Sequence, residues 1–219
     1  HGGRCTMFDI AEAWLPTAVA TLGERYPMLE IDGVHGDFNQ HLDRLGPGGD
    51  RLIVFFAGTL GNLHPDRVPT FLAAVRRQME PGDCLLVGVD LVKDPAIIEA
   101  AYNDSAGVTA AFNCNILAAL NRRFRASFDV DAFEHRAFFD THPDHRWLEM
   151  RLRAVRPTTA RIAGLRLDFA EGDELRTELS TKYTPERLAE RAQLAGLVVD
   201  RWYSDPKGWF GVALLRPSA

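Results

Sequence analysis

The run RLIVFFAGTLGNLHPDRVPTFLAAVRRQMEPGDCLLVGVD, residues 51–90, decides the fold. Residues 51–57 are aromatic, β-branched and apolar almost without interruption, the pattern of a strand buried on both faces. Within residues 65–79, Val68, Phe71, Leu72 and Val75 recur at helical spacing, and residues 84–89 return to a strand. Strand, helix and strand in that order describe a parallel crossover unit. Upstream, residues 5–9 read as a strand, 11–26 as a helix and 29–34 as a strand, which repeats the unit.

Downstream the character changes. Residues 95–102 and 108–124 read as helices, and 133–139, 148–154, 161–169 and 175–183 as strands of an antiparallel layer. Residues 185–195 form a further helix, with Gly196 where a helix stop is expected. Residues 198–203 and 210–215 are then two strands joined through Asp205-Pro206-Lys207-Gly208, a turn composition, so the last element is a hairpin. The expected class is α/β: a Rossmann-like sheet over residues 1–94 and 184–219, with a smaller α+β lobe inserted over 95–183.

Composition narrows the possible functions. With 219 residues, 46% hydrophobic and 25% charged, the chain can bury a sizeable core. No apolar run approaches the roughly 20 residues needed to span a bilayer, and His1-Gly2-Gly3-Arg4 is no secretion signal. A cytoplasmic monomer without a membrane partner is expected. The net charge of -5, with Lys and Arg dispersed, supplies no basic stripe for nucleic acid. Cys5, Cys84 and Cys114 have neither disulfide-framework nor zinc spacing, so metal-free chemistry and free thiols are expected.

In open parallel sheets ligands lie beyond the carboxyl ends of the strands. Asp9 ends the first strand, where a carboxylate accepts hydrogen bonds from a ribose diol or caps the following helix. Asp37-Phe38 ends the second strand and suits an adenine amine and ring face, or an ordinary turn. Gly58 to Leu63 follows the buried strand 51–57; its glycines let backbone approach a ligand, and Asn62 is either a site residue or a cap for the helix near Pro65. His35, His135, His142 and His145 have no metal spacing and read as structural or surface groups. No Gly-x-Gly cluster follows the first strand, so the chain is expected to open at the second strand of a nucleotide-binding sheet.

Four strings carry a more specific signal: GTLGNL (58–63), DLVKD (90–94), AYNDSAGVTAAFN (101–113) and TELSTKY (177–183). In this order and spacing the chain resembles the histidine Nα-methyltransferases of ergothioneine biosynthesis. The resemblance implies an S-adenosylmethionine-dependent enzyme that methylates the α-amine of histidine, to trimethylhistidine. It implies that Asp9 holds the cofactor ribose and that Asp37 with Phe38 holds the adenine. Asn62 and Tyr102 correspond to residues that hold the amino-acid end of the substrate, Glu178 and Ser180 to those that read the imidazole, and Met150 to a pocket wall. No side chain is expected to act as a covalent or acid–base catalyst, because in-line methyl transfer to a neutral amine depends on positioning. The family's cofactor glycines and lysine, and a substrate tyrosine, fall before residue 1, so these 219 residues are expected to be poorly stable or inactive alone. The alternatives are an N-methyltransferase of another aromatic amino acid such as tryptophan, and a non-catalytic cofactor-binding or interaction module. On the structural alternative, Glu178 is an exposed strand residue.

Overall fold

The computed structural model describes residues 3–56 and 58–218. Strands β1 (Arg4–Asp9) and β2 (Glu30–His35) pair in parallel, with Asp9 opposite His35, and helix α1 (Leu15–Arg25) crosses between them. The helix starts later than residue 11 because 11–14 are taken up by turns, including Trp14 N–H to Ala11 C=O. Pro16 then sits in the first helical turn, where its missing N–H costs nothing.

Strand β3 (Leu52–Phe55) pairs in parallel with β4 (Cys84–Asp90). They are linked by two short 3-10 turns and α2 (Val68–Arg77). Strand β4 is the buried centre of this sheet, with Leu85, Val87 and Val89 all enclosed.

The expectation of a strand buried on both faces fails for β3: Leu52 is 57% and Val54 50% exposed. The strand bonds to β4 on one edge, and among the described residues no strand covers the other. Ile53 and Phe55 alone of this strand pack on the core. Ala57, the last residue of the predicted strand, lies outside the described residues, as do His1 and Gly2.

The middle region carries α3 (Pro95–Tyr102), α4 (Val108–Phe124) and an antiparallel sheet of β5 (Phe133–Asp140), β6 (Trp147–Ala154) and β9 (Glu174–Thr181), in that order. The single strand expected over 161–169 is instead the second half of a hairpin, β7 (Thr158–Ile162) and β8 (Leu165–Phe169). Ala163 and Gly164 both take positive φ, 49° and 81°, the geometry of a two-residue primed turn. Ala-Gly lacks the Asn or Asp that usually advertises such a turn.

Helix α5 (Pro185–Leu194) is capped by the Thr184 hydroxyl, which accepts from Arg187 N–H. It packs with α2 on the central sheet, burying Leu72, Val75, Leu188 and Ala192 with Leu215. Strands β10 (Leu197–Ser204) and β11 (Phe210–Pro217) close the sheet antiparallel against β4, in the order β10-β11-β4-β3. The expected sheet is split: β3 and β4 run parallel and the last hairpin closes antiparallel on β4, while among the described residues β1 and β2 pair only with each other.

The middle region is joined to the sheet at one seam. Tyr183 N–H donates to Asp90 C=O and Val92 N–H to Tyr183 C=O, both at 2.9 Å, so the outgoing and returning segments lie side by side. Among the described residues no helix is long and apolar enough to cross a membrane.

Candidate substrate cavity

A cavity of about 290 Å³ opens where the seam meets the carboxyl ends of β3 and β4. Its walls include Asn62 and Gly58 from the turn after β3, Asp90 from β4, Tyr102 from the last turn of α3, Glu178, Ser180 and Lys182 from β9 and the segment after it, and Phe210 from β11. Four of the residues singled out in the sequence, Asn62, Tyr102, Glu178 and Ser180, thus face one space. A wider, open cleft of about 570 Å³ is bordered by Asp66, Arg146, Arg187 and Arg191 and contains none of them. The smaller cavity is the better candidate, because a few convergent polar groups, and not size, define a specific site.

Local chain geometry explains the convergence. Gly58 has a φ of 69°, a left-handed conformation that turns the chain sharply out of β3. Gly61 is placed so that a β-carbon there would lie 2.7 Å from the Thr181 carbonyl oxygen. The missing side chain lets the 59–62 turn lie directly on β9 and sets Asn62 beside Ser180. The glycine at 61 therefore serves contact with another strand, not the approach to a ligand read from the sequence. The helix start that could have used Asn62 as its cap falls at His64. At the cavity's other side Gly88 leaves room for the Phe210 ring, whose edge would be 2.8 Å from a β-carbon at that position.

Tyr102 is held from behind. His135 Nε2–H donates to the Tyr102 carbonyl at 2.9 Å, while His135 Nδ1 accepts from the buried Asn113 amide at 2.9 Å. The two partners assign the neutral tautomer, a structural role for His135. The next turn is fixed by Asp104, whose carboxylate accepts from the N–H groups of Thr109 and Val108 at the start of α4. Those bonds, Thr109 foremost, hold its pKa down at about 2.

Glu178 is half-buried, and burial pushes its carboxyl above the usual range while Lys182 pulls it back. Neither Glu178 nor Asn62 forms a side-chain hydrogen bond with another described residue. Both therefore keep their hydrogen-bonding capacity for a guest. Ser180 Oγ accepts from Tyr102 OH at 3.2 Å and from Lys182 Nζ at 2.9 Å.

Met150 stands directly opposite Glu178 in the β6–β9 register, but it is buried among Ile98, Ala137, Phe139 and Leu148 behind Tyr102. It backs the wall without lining the cavity. Asp9, Asp37 and Phe38 lie outside the lining, at the carboxyl ends of β1 and β2. Asp9 Oδ1 accepts from Ala11 N–H at 2.7 Å. Asp37 accepts from the Asn39 backbone at 2.8 Å and from the Asn39 and Gln40 side chains, which lowers its pKa, the Asn39 backbone bond being the main cause. Phe38 packs edge-on against Phe55 and Phe71, with ring centres 5.5 and 5.6 Å away.

Sequence reasoning missed Asp90 and Lys182 as parts of this cavity. Both were in view within the DLVKD and TELSTKY strings, but no local signal marks an ion pair formed across the fold.

A protein-family model described as histidine-specific methyltransferase, SAM-dependent, matches residues 4–217. The histidine N-alpha-methyltransferase of Mycolicibacterium smegmatis is 46% identical over 213 residues, and that of Mycobacterium tuberculosis 42%; each match takes in 96% of this chain and 66% of the relative. The chain thus spans just under two thirds of the length of these relatives. Ergothioneine biosynthesis protein 1 of Neurospora crassa is 25% identical over 88% of this chain and 22% of its own length. Among solved structures, that of the mitomycin 7-O-methyltransferase overlaps 98% of this chain and 42% of its own with a TM-score of 0.50 at 15% identity, a likeness of fold.

Proposed function

This chain belongs to the family of histidine-specific, S-adenosylmethionine-dependent methyltransferases, and from that premise we propose that it methylates the α-amine of histidine, carrying it to the trimethylated product. The observation that carries the reading is one cavity holding an unpartnered half-buried carboxylate, an unpartnered amide and two hydroxyls. Histidine offers a matching set: a ring N–H, a ring lone pair, a carboxylate and an amine.

The cofactor fits the other end of the site. Asp9 and Asp37 follow adjacent parallel strands, where a carboxylate can accept the two O–H groups of a ribose or the amine of adenine. Asp37, held ionised by its turn, and Phe38, anchored between two rings, are preorganised for the adenine. When bound, the cofactor supplies a methyl group on a sulfonium.

The protein's task is orientation. Glu178 accepts the ring N–H, Ser180 donates to the other ring nitrogen, and Asn62 with the Tyr102 hydroxyl holds the amino-acid end. The amine must be presented neutral. Asp90, the other carboxylate on the wall, is engaged by Lys93 and Lys182, so no free carboxylate is set to hold the amine as an ammonium. The supporting division is a cofactor-binding part, 1–94 and 184–219, and a substrate lobe, 95–183, each with its own buried core. A cytoplasmic monomer acting on small molecules accompanies this reading, and the dispersed charge speaks against a nucleic-acid partner.

The test is kcat/KM for histidine and tryptophan in the full-length wild-type protein and in its Glu178→Ala variant. Loss of the charged acceptor should cost histidine about 2 to 3 kcal/mol and relax the rejection of tryptophan. An unchanged ratio between the substrates would remove Glu178 from the pocket. Methylation of tryptophan in preference to histidine by the wild type would favour the other aromatic amino-acid reading, and cofactor binding without any methylation the non-catalytic one.

A further inference from the structure

Lys182 has so far served only to engage Asp90, yet its side chain is 0% exposed and carries a charge. A buried ammonium persists only where all of its donors are used. Lys182 Nζ meets Asp90 Oδ2 at 2.8 Å, Ser180 Oγ at 2.9 Å and Tyr102 OH at 3.1 Å, and lies 4.9 Å from the centre of the Tyr102 ring. Asp90 is fixed in turn by Lys93 Nζ, which also donates to the Trp209 carbonyl at 3.0 Å.

An ammonium donates and never accepts. Two of its N–H groups therefore occupy lone pairs on the two hydroxyl oxygens and take up neither hydroxyl proton. Tyr102 and Ser180 stand 3.2 Å apart, so one hydroxyl proton is consumed between them, and the phenol, a far stronger acid than the serine hydroxyl, is the one that gives it. The proton left over belongs to Ser180, and it has no acceptor among the described residues. It must point into the cavity, beside the bare acceptor Glu178.

We propose that Lys182 is a positioning residue that fixes the polarity of the substrate wall, forcing Ser180 to present a donor next to the acceptor Glu178, so that the site selects a neutral ring with one N–H and one lone pair. This rests on the histidine reading above and names the device that enforces it. With an apolar side chain at 182, both hydroxyls can turn inward, and the Ser180 proton is no longer committed to the guest.

The experiment measures the affinity of the full-length wild-type protein and its Lys182→Met and Lys182→Gln variants for three amino acids: histidine; pyrrolylalanine, which has a ring N–H but no ring lone pair; and thiazolylalanine, which has the lone pair but no N–H. In the wild type pyrrolylalanine leaves the Ser180 proton unpaired and should bind at least about tenfold more weakly than histidine. In Lys182→Met that ratio should fall below about threefold, because the serine can turn to Tyr102, while the histidine-to-thiazolylalanine ratio, set by Glu178, stays as in the wild type. Lys182→Gln guards against a misfolded methionine variant. Its amide carbonyl can accept the second hydroxyl proton, so the pyrrolylalanine ratio should fall there too. A pyrrolylalanine ratio unchanged in a folded variant, or both ratios falling together, overturns the inference and leaves Lys182 a merely structural cation. Failure of the wild type to bind histidine at all overturns the substrate reading itself, and is thereby told apart.

Discussion

The two ends of the proposed site are built in opposite ways. At the carboxyl ends of β1 and β2 the carboxylates are held by their own neighbours: Asp9 by Ala11, Asp37 by Asn39 and Gln40. At the substrate cavity every fixed group leans on a residue far along the chain. Tyr102 meets Ser180 across 78 positions, and the 59–62 turn rests on the Thr181 backbone. The carboxylates of the first end are prearranged by local turns and face solvent, with only Phe38 reaching into the core; the second end exists only when two sheets and a helix are assembled. The carboxylates of the proposed cofactor end should therefore tolerate damage to tertiary packing that the substrate end cannot.

The largest expected effect breaks the second end without touching the first. Gly61→Ala puts a β-carbon against the Thr181 carbonyl, where backbone must move. A displacement of about an ångström at a positioning group costs on the order of 100-fold in rate, so kcat/KM for histidine should fall by about that much. Affinity for S-adenosylhomocysteine should remain unchanged; a parallel loss of both would show that the two ends are not built independently. Next in size, Asp37→Ala should weaken S-adenosylhomocysteine binding in calorimetric titration by about tenfold while leaving the melting temperature near that of the wild type. Equal binding by both proteins would remove Asp37 from the adenine site.

The smallest effect sharpens the comparison by probing a local anchor inside the substrate end. The Asp104 carboxyl is held at about 2, below its ordinary 3.8. A depressed carboxylate contributes stability that is complete above the ordinary value and lost as pH falls through the folded one. Asp104→Asn should therefore melt slightly below the wild type near neutrality, and the two curves should converge between roughly pH 4 and pH 2. A constant gap over that range would mean that the charge is not what anchors α4.

The same contrast decides what could be read from the sequence. Helices α3 and α4 fall on the predicted bounds because their start and stop signals are local: the Asp94 side chain caps Ala96 N–H with Pro95 behind it, and Gly107 takes a left-handed turn. Asp9 and Asp37 could be nominated from position alone, as residues just past strands. Tyr102, Glu178 and Ser180 could not; they entered through resemblance, since no spacing rule brings residue 102 to residue 180. The exposure of β3 escaped as well, because an apolar run does not state how many neighbours a strand has. Lys182 is the extreme case: lysine is ordinarily a surface residue, and the Asp90 carboxylate with the Ser180 and Tyr102 hydroxyls explains why this one is enclosed.

The seam between Asp90–Val92 and Tyr183 has an evolutionary corollary. A region whose way out and way back are zipped together behaves as a cartridge seated in a socket. It can be exchanged, lengthened or reshaped while the central sheet keeps its strand order, provided that the two backbone bonds, the Asp90–Lys182 pair and the packing of the 59–62 turn on Thr181 are re-made. A chimera that carries a relative's cartridge into this socket should bring the donor's amino-acid preference with it. Asp90 is a socket residue and Lys182 a cartridge residue, so grafts would succeed or fail first on whether that pair is matched across the cut.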